Sequence, residues 1–237
     1  MNSESWLDDA GVFETLKTYK NKPFALSQHL ERLHRGIQDL GLSAPSIEEI
    51  ARETYAHLEN NPQESGHLRL VVDSLGKLTI SHLPLSVFKE QLQVNLVESE
   101  ISTGLSYKST NYLGRLKLRE YAQVAGFDDS IICKGDELVE ATTCNIIFLR
   151  RGKWFTPPIH TGCLPGITRQ FLIENFGIGE SSLRREEVFE LEAIAVTSSL
   201  REIQRIQVVN GKVFPHSHLL ERLQVEFHTW ILGNLAL

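Results

Sequence analysis

The sequence predicts a chain of two parts, an N-terminal α+β part and a larger C-terminal part of mixed α/β structure. Three observations carry this. The first hundred residues hold two stretches of helical periodicity followed by strand-like stretches. A polar run from Glu98 to Ser106, with Gly104 and several Ser and Thr, reads as a linker. Beyond it, short apolar stretches alternate with turns and with three further helical patterns. The expected division is a small domain over residues 1–102, a linker at about 103–106 and a larger domain over 107–237, within the range of lengths typical of domains.

The elements follow in order. Leu30, Leu33, Ile37 and Leu40 recur at helical spacing within a helix expected over 24–42, with Ser27 as its cap and Gly41 as its stop. Ser46-x-x-Glu49 after Pro45 has the form of a capping box for a second helix reaching Leu58. His67–Asp73 and Lys77–Leu83 flank Ser74-Leu75-Gly76 as a hairpin, and Gln91–Val97 is expected as a third strand of the same antiparallel set. A helix over 113–125 closes at Gly126. Short strands follow at 131–133, 138–139, 145–149 and 154–156, a helix at 167–176, and strands at 194–197 and 206–209. Asn210-Gly211 marks a hairpin turn, and an amphipathic helix spans about 217–232.

Composition narrows the class of partner. The net charge is −6 and no basic patch stands out, so nucleic acid is not expected. No apolar run approaches the ~20 residues of a membrane span. The first residues lack the basic and apolar regions of a signal peptide, and a cytoplasmic protein is expected. Cys133, Cys144 and Cys163 are odd in number and form no CxxC, so reduced thiols are expected rather than disulfides or a zinc site.

Four segments could carry chemistry. They are Gly11-Val12-Phe13-Glu14-Thr15-Leu16 with His29-Leu30-Glu31-Arg32-Leu33; Tyr107-Lys108-Ser109-Thr110-Asn111-Tyr112-Leu113; Glu140-Ala141-Thr142-Thr143-Cys144-Asn145-Ile146-Ile147-Phe148; and Leu164-Pro165-Gly166-Ile167-Thr168-Arg169 with Thr197-Ser198-Ser199 beyond it. Read singly, each is ambiguous. Lys108 reads as well as a solvated charge, and Glu140 as a surface carboxylate. Gly166-Ile167-Thr168 opening a helix can seat a phosphate on free N–H groups, yet many such starts bind water alone.

Taken together and in this order, the segments resemble the fold-type IV pyridoxal-phosphate enzymes, the class IV aminotransferase family. The FET segment, the H-L-x-R-L helix, the lysine, the E-x-x-x-x-N-x-F strand and the L-x-G-I-T-R turn all occur between residues 11 and 169. The resemblance implies pyridoxal 5'-phosphate as cofactor, with Lys108 as its Schiff-base lysine. It implies that Glu140 faces the pyridine nitrogen. It places Arg32, the backbone amides of Ile167 and Thr168, and Ser198 and Ser199 at the phosphate. Tyr112 either touches the phenolic oxygen or packs. His29 and His34 read as structural or solvated, and Asn145 as a residue that fixes local backbone. A small amino substrate and a homodimer are further implications.

The chemistry suits those roles. A lysine nucleophile must shed its proton, which burial favours. A carboxylate beside the pyridine nitrogen keeps it protonated and the ring electron-withdrawing. Arginine offers phosphate a planar, permanently charged fork.

Within the family, Lys108-x-x-Asn111 resembles D-amino-acid aminotransferases and aminodeoxychorismate lyases rather than the branched-chain enzymes. Thr197-Ser198-Ser199-Leu200 resembles the lyases, while Gln204-Arg205-Ile206 departs from either subgroup. The expected activity is 4-amino-4-deoxychorismate lyase, which releases pyruvate to give 4-aminobenzoate for folate synthesis. The alternatives are an aminotransferase acting on D-amino or branched-chain amino acids, and a non-catalytic relative or binding protein. Arg69 and Arg201 are candidates for a substrate carboxylate. The residues before Gly11 do not match the family's usual first strand, so an edge strand of the small domain is expected to be missing.

Overall fold

The computed structural model describes residues 11–101 and 104–235. The described chain divides into two compact units. One takes the residues up to Val87, Ser106–Leu113 and those from Trp230 onward; the other takes those from Phe88 to Leu105 and Gly114–Thr229.

In the first unit, β1 (Val12–Tyr19), β2 (Lys22–Pro23), β3 (Ser65–Val72) and β4 (Leu78–Pro84) form an antiparallel sheet in the order β2-β1-β3-β4. Helices α1 (Leu26–Asp39) and α2 (Ile47–Asn60) pack against it and each other. Val12, Glu14, Leu16 and Thr18 of β1 lie on the same side of the sheet as Leu68, Leu70 and Val72 of β3, and all are buried. Burying each large aliphatic side chain here contributes roughly 1.5–3 kcal/mol. The opposite side carries Phe13, Thr15 and Lys17 of β1 across from Val71, Arg69 and His67 of β3.

In the second unit, β5 (Gln91–Glu98), β6 (Asp129–Lys134), β7 (Glu137–Ala141), β8 (Asn145–Arg150), β9 (Lys153–Thr156), β10 (Gly179–Glu180), β11 (Ala193–Ser198) and β12 (Glu202–Val209) form one mixed sheet in the order β10-β9-β8-β11-β12-β5-β6-β7. A short β13 (Lys212–Val213) adds to β12 across Asn210-Gly211, both at positive φ. A tight turn, in which Ala141 N–H donates to the Cys144 carbonyl, brings β7 beside β8, so the sheet curls as a barrel-like structure should. Its core includes Ile131, Leu138, Ile146, Phe148, Ile194, Val196 and Ile206. The helices of this part are α3 (Leu113–Val124), α4 (Ile167–Phe176) and α5 (His218–Gly233). Among the described residues, no helix is long and apolar enough to cross a membrane.

The structure corrects the sequence reading in four places. Strand β1 was not expected, because its inward positions include Glu14 and Thr18, and polar residues there mask the period-2 signal. The strand at Gln91–Val97 is β5, which pairs in parallel with β6 and β12 of the large sheet and not with the hairpin. Period-2 patterning says that a strand exists but not which sheet receives it. The boundaries move accordingly: the first unit ends at Val87 instead of residue 102, while Ser106–Leu113 belongs with it rather than with the larger part. Finally, Ser27 does not cap α1. The cap position is Ala25, in a left-handed conformation, and the Ser27 hydroxyl donates to Gln28 instead. The Ser46–Glu49 capping box, by contrast, forms in full. Residues 1–10, where a missing edge strand was expected, and part of the expected linker lie outside the described residues.

Candidate functional site

Lys108 lies on a segment tied to the start of β1. Its carbonyl accepts from Phe13 N–H at 3.0 Å, Thr110 N–H donates to the Gly11 carbonyl at 2.9 Å, and Gly11 N–H donates to Thr110 Oγ1 at 2.9 Å. Gly11 is required for this approach: a Cβ there would lie 2.6 Å from the Val72 carbonyl oxygen and 2.9 Å from Thr110 Oγ1. The half-buried Lys108 side chain places Nζ 4.6 Å from the centre of the Phe13 ring and 5.7 Å from that of Tyr112. Those two rings meet edge to face at 5.2 Å, so Tyr112 does pack, and it packs beside the lysine.

Around the lysine the first unit is rich in cations. Arg69 and His67 lie half-buried on the same side of the sheet as Phe13, with Thr15 and Lys17 opposite them on β1. Burial, then Arg69, then Lys108 push the His67 imidazole down to about 4, so it is neutral at ordinary pH. Among the described residues its buried Nε2 has no hydrogen-bond partner.

Behind the sheet, Glu14 organises a buried polar cluster. Arg32 donates to it twice, Nε to Oε1 at 2.7 Å and Nη2 to Oε2 at 2.8 Å. His29 Nδ1 lies 2.7 Å from Oε2, and because a carboxylate only accepts, Nδ1 must carry the proton. Burial would raise the Glu14 carboxyl, but Arg32 and His29 hold it well below the usual carboxylate range. Burial lowers His29, with Arg32 and Lys108 adding to the effect against Glu14. The ion pair is therefore Glu14 with Arg32, and His29 is a neutral structural donor. His34 is exposed.

The second unit holds the other motif residues. Glu140, near the end of β7, is 2% exposed. Its Oε1 accepts from Arg115 Nη2 of α3 at 2.7 Å; its Oε2 accepts from Leu164 N–H at 3.1 Å and Asn145 Nδ2 at 3.2 Å. Asn145 also donates to the Leu164 carbonyl at 2.9 Å, so it fixes the backbone leading into α4. A Cβ on Gly166 would lie 2.0 Å from Asn145 Oδ1, which is why glycine stands there. Gly166 caps α4 without a side-chain hydrogen bond, and the amides of Ile167 and Thr168 have no acceptor within the helix itself. Thr168 is buried, and α4 packs on β11, whose end carries Ser198. Ser198 Oγ accepts from Arg201 N–H at 3.3 Å.

Two arginines singled out by the sequence serve the fold. Arg169 turns inward to the Pro157 carbonyl and Glu180. Arg201 stacks 4.3 Å over the Phe88 ring and donates to Gln204. The sequence reading passed over Glu14 and Arg115, whose partners lie far away in the chain.

The chain belongs to the amino-transferase class IV family, whose model matches residues 11–209. It is 28% identical to the aminodeoxychorismate lyase of Bacillus subtilis (84% of this chain, 78% of the relative). It is 24% identical to the D-alanine aminotransferase of Bacillus licheniformis (95% and 89%). The branched-chain aminotransferase of Thermoproteus uzoniensis superposes with a TM-score of 0.85 at 25% identity (95% and 86%). The family's cofactor is pyridoxal 5'-phosphate. The residues present fit it: the amides at the α4 start suit an anion, and Glu140 keeps roughly one of its four acceptor directions beyond its three donors.

Proposed function

We propose that the protein is a pyridoxal-phosphate lyase that converts 4-amino-4-deoxychorismate into 4-aminobenzoate and pyruvate. The observation that carries the choice of substrate is the open side of the small sheet. It presents Arg69, Lys17, His67 and Thr15 beside Lys108, a polar and cationic surface suited to a dicarboxylate. A branched-chain amino acid has one carboxylate and an apolar side chain, and would favour an apolar wall. Lys108-x-x-Asn111, the Thr197-Ser198-Ser199-Leu200 segment and the likeness to the Bacillus subtilis lyase support the same reading.

In this reading Lys108 would hold the cofactor covalently, and its Nζ would take the proton from the amine-bearing carbon of the substrate. Glu140 holds a proton at the ring nitrogen. Arg32, the Ile167 and Thr168 amides, Ser198 and Ser199 hold the phosphate, and Tyr112 orients the lysine. When bound, the cofactor supplies an electron sink for the substrate carbanion. Arg69 takes a substrate carboxylate. A homodimer belongs to the reading, supported by the exposed apolar side chains of Tyr121 and Val124 on α3.

Amino transfer is the second reading, favoured by the likeness to the D-alanine and branched-chain aminotransferases. The assay supplies aminodeoxychorismate without any 2-oxo acid and measures pyruvate. Release of pyruvate is expected; its absence, with amino transfer from an amino acid to a 2-oxo acid, establishes the transaminase instead. The cofactor itself is tested by colour: purified protein is expected to show a visible band that borohydride abolishes and that Lys108→Ala lacks. Wild-type protein that stays colourless with added pyridoxal phosphate overturns both readings.

A further inference from the structure

Arg115 has no place in the motif set, yet it makes one of the shortest contacts to Glu140. Its Nη2 donates to Glu140 Oε1 at 2.7 Å, and its Nη1 to the Thr142 carbonyl at 3.3 Å. The two side chains are 12% and 3% exposed, so the pair sits away from water. Glu140 is thus gripped from three places: α3 through Arg115, β8 through Asn145, and the segment before α4 through Leu164 N–H. The nearby Cys163 thiol donates to the Pro157 and Pro158 carbonyls; burial first, then the charge of Glu140, push it up to about 11, so it adds no charge near neutrality. Arg115 supplies the positive charge of the set.

We propose that Arg115 is a positioning residue that fixes the Glu140 carboxylate and shares its charge, so that a pyridine ring nitrogen meets a partly neutralised carboxylate rather than a full anion. This rests on the cofactor reading above. The physical reason is competition. A carboxylate already bonded to a guanidinium in a dry environment holds a further N–H donor less strongly, and the nearby cation itself disfavours a protonated ring nitrogen. Removing Arg115 leaves a buried carboxylate whose strongest available partner is the ring N–H.

The test follows the ring nitrogen directly. Apoprotein is loaded with pyridoxal phosphate carrying 15N in the ring, and the ring resonance is followed against pH. In Arg115→Gln the midpoint of ring protonation is expected to rise by about one pH unit, a tenfold change in the ratio of protonated to unprotonated ring at a given pH. In Glu140→Gln it moves the other way, and adding Arg115→Gln to that background raises it by less than the same change does in wild type, because only the direct effect of the cation is left. Arg115→Lys, which keeps the charge, lies near wild type. A ring nitrogen that titrates identically in wild type and Arg115→Gln, with loss only of stability in urea, overturns the proposal. Should Arg115→Gln fail to fold, Arg115→Met in its place carries the same comparison. Wild-type protein that never forms the borohydride-sensitive band is a different result, and sinks the cofactor reading instead.

Discussion

Replacing Glu14 by Gln tests the buried cluster of the small unit independently of any cofactor. Glu14 is fully buried and Arg32 is 3% exposed, and two hydrogen bonds join them. The substitution keeps the size of the side chain and removes its charge, which strands a guanidinium that cannot lose its proton. Breaking a buried pair from one side costs about 3–5 kcal/mol, several times the worth of a surface pair. With a urea dependence of roughly 2–3 kcal/mol per molar, the unfolding midpoint of the apoprotein falls by about 1–2 M. The double substitution Glu14→Leu with Arg32→Met removes both charges and leaves the His29 N–H without its acceptor, a loss of roughly 1–3 kcal/mol. It is therefore expected to be more stable than Glu14→Gln alone, yet to bind pyridoxal phosphate more weakly if Arg32 holds the phosphate. A single variant that loses less than about 1 kcal/mol, or a double variant as damaged as the single, would refute the reasoning.

Other outcomes follow from the same geometry. His67 is pushed from 6.5 down to about 4, so between those values the unfolded chain takes up a proton that the folded chain refuses. Stability therefore falls as pH is lowered through that window; allowing for the partial exposure of His67, its share is roughly 1–2 kcal/mol. In urea titrations at both ends of the window, His67→Gln should lose less stability than wild type on acidification, and an equal loss would exclude this role. Gly166→Ala drives a Cβ to 2.0 Å from Asn145 Oδ1, and Asn145 cannot swing away without releasing Leu164 and Glu140. A loss of about 1–3 kcal/mol together with weaker cofactor binding is expected, measured by denaturation and by titration of the apoprotein; wild-type behaviour in both would show that the Gly166 cradle is not needed.

Much of the architecture was legible because local chemistry sets it. The Ser46–Glu49 box, the Gly41 and Gly126 stops, the Asn210-Gly211 turn and the span of α4 all follow from neighbours in the chain. The ordered motifs were equally legible, and they sufficed to identify the family. Strand β1 was hidden because folding brings Arg32 and His29 over a position, Glu14, that reads as polar and outward until its partners are known. The same holds for Arg115 and Glu140, which lie on separate elements. Sequence by itself determined the helices and tight turns, where they stop, and which residue types are available for chemistry, since those depend on contacts within a few residues. Tertiary structure alone decided that β5 joins the large sheet and that the segment bearing Lys108 pairs with the start of β1. It also decided which buried charge faces which. Such pairings are settled by the cost of leaving a charge or a strand edge unmatched, and that cost exists only once distant parts of the chain have met.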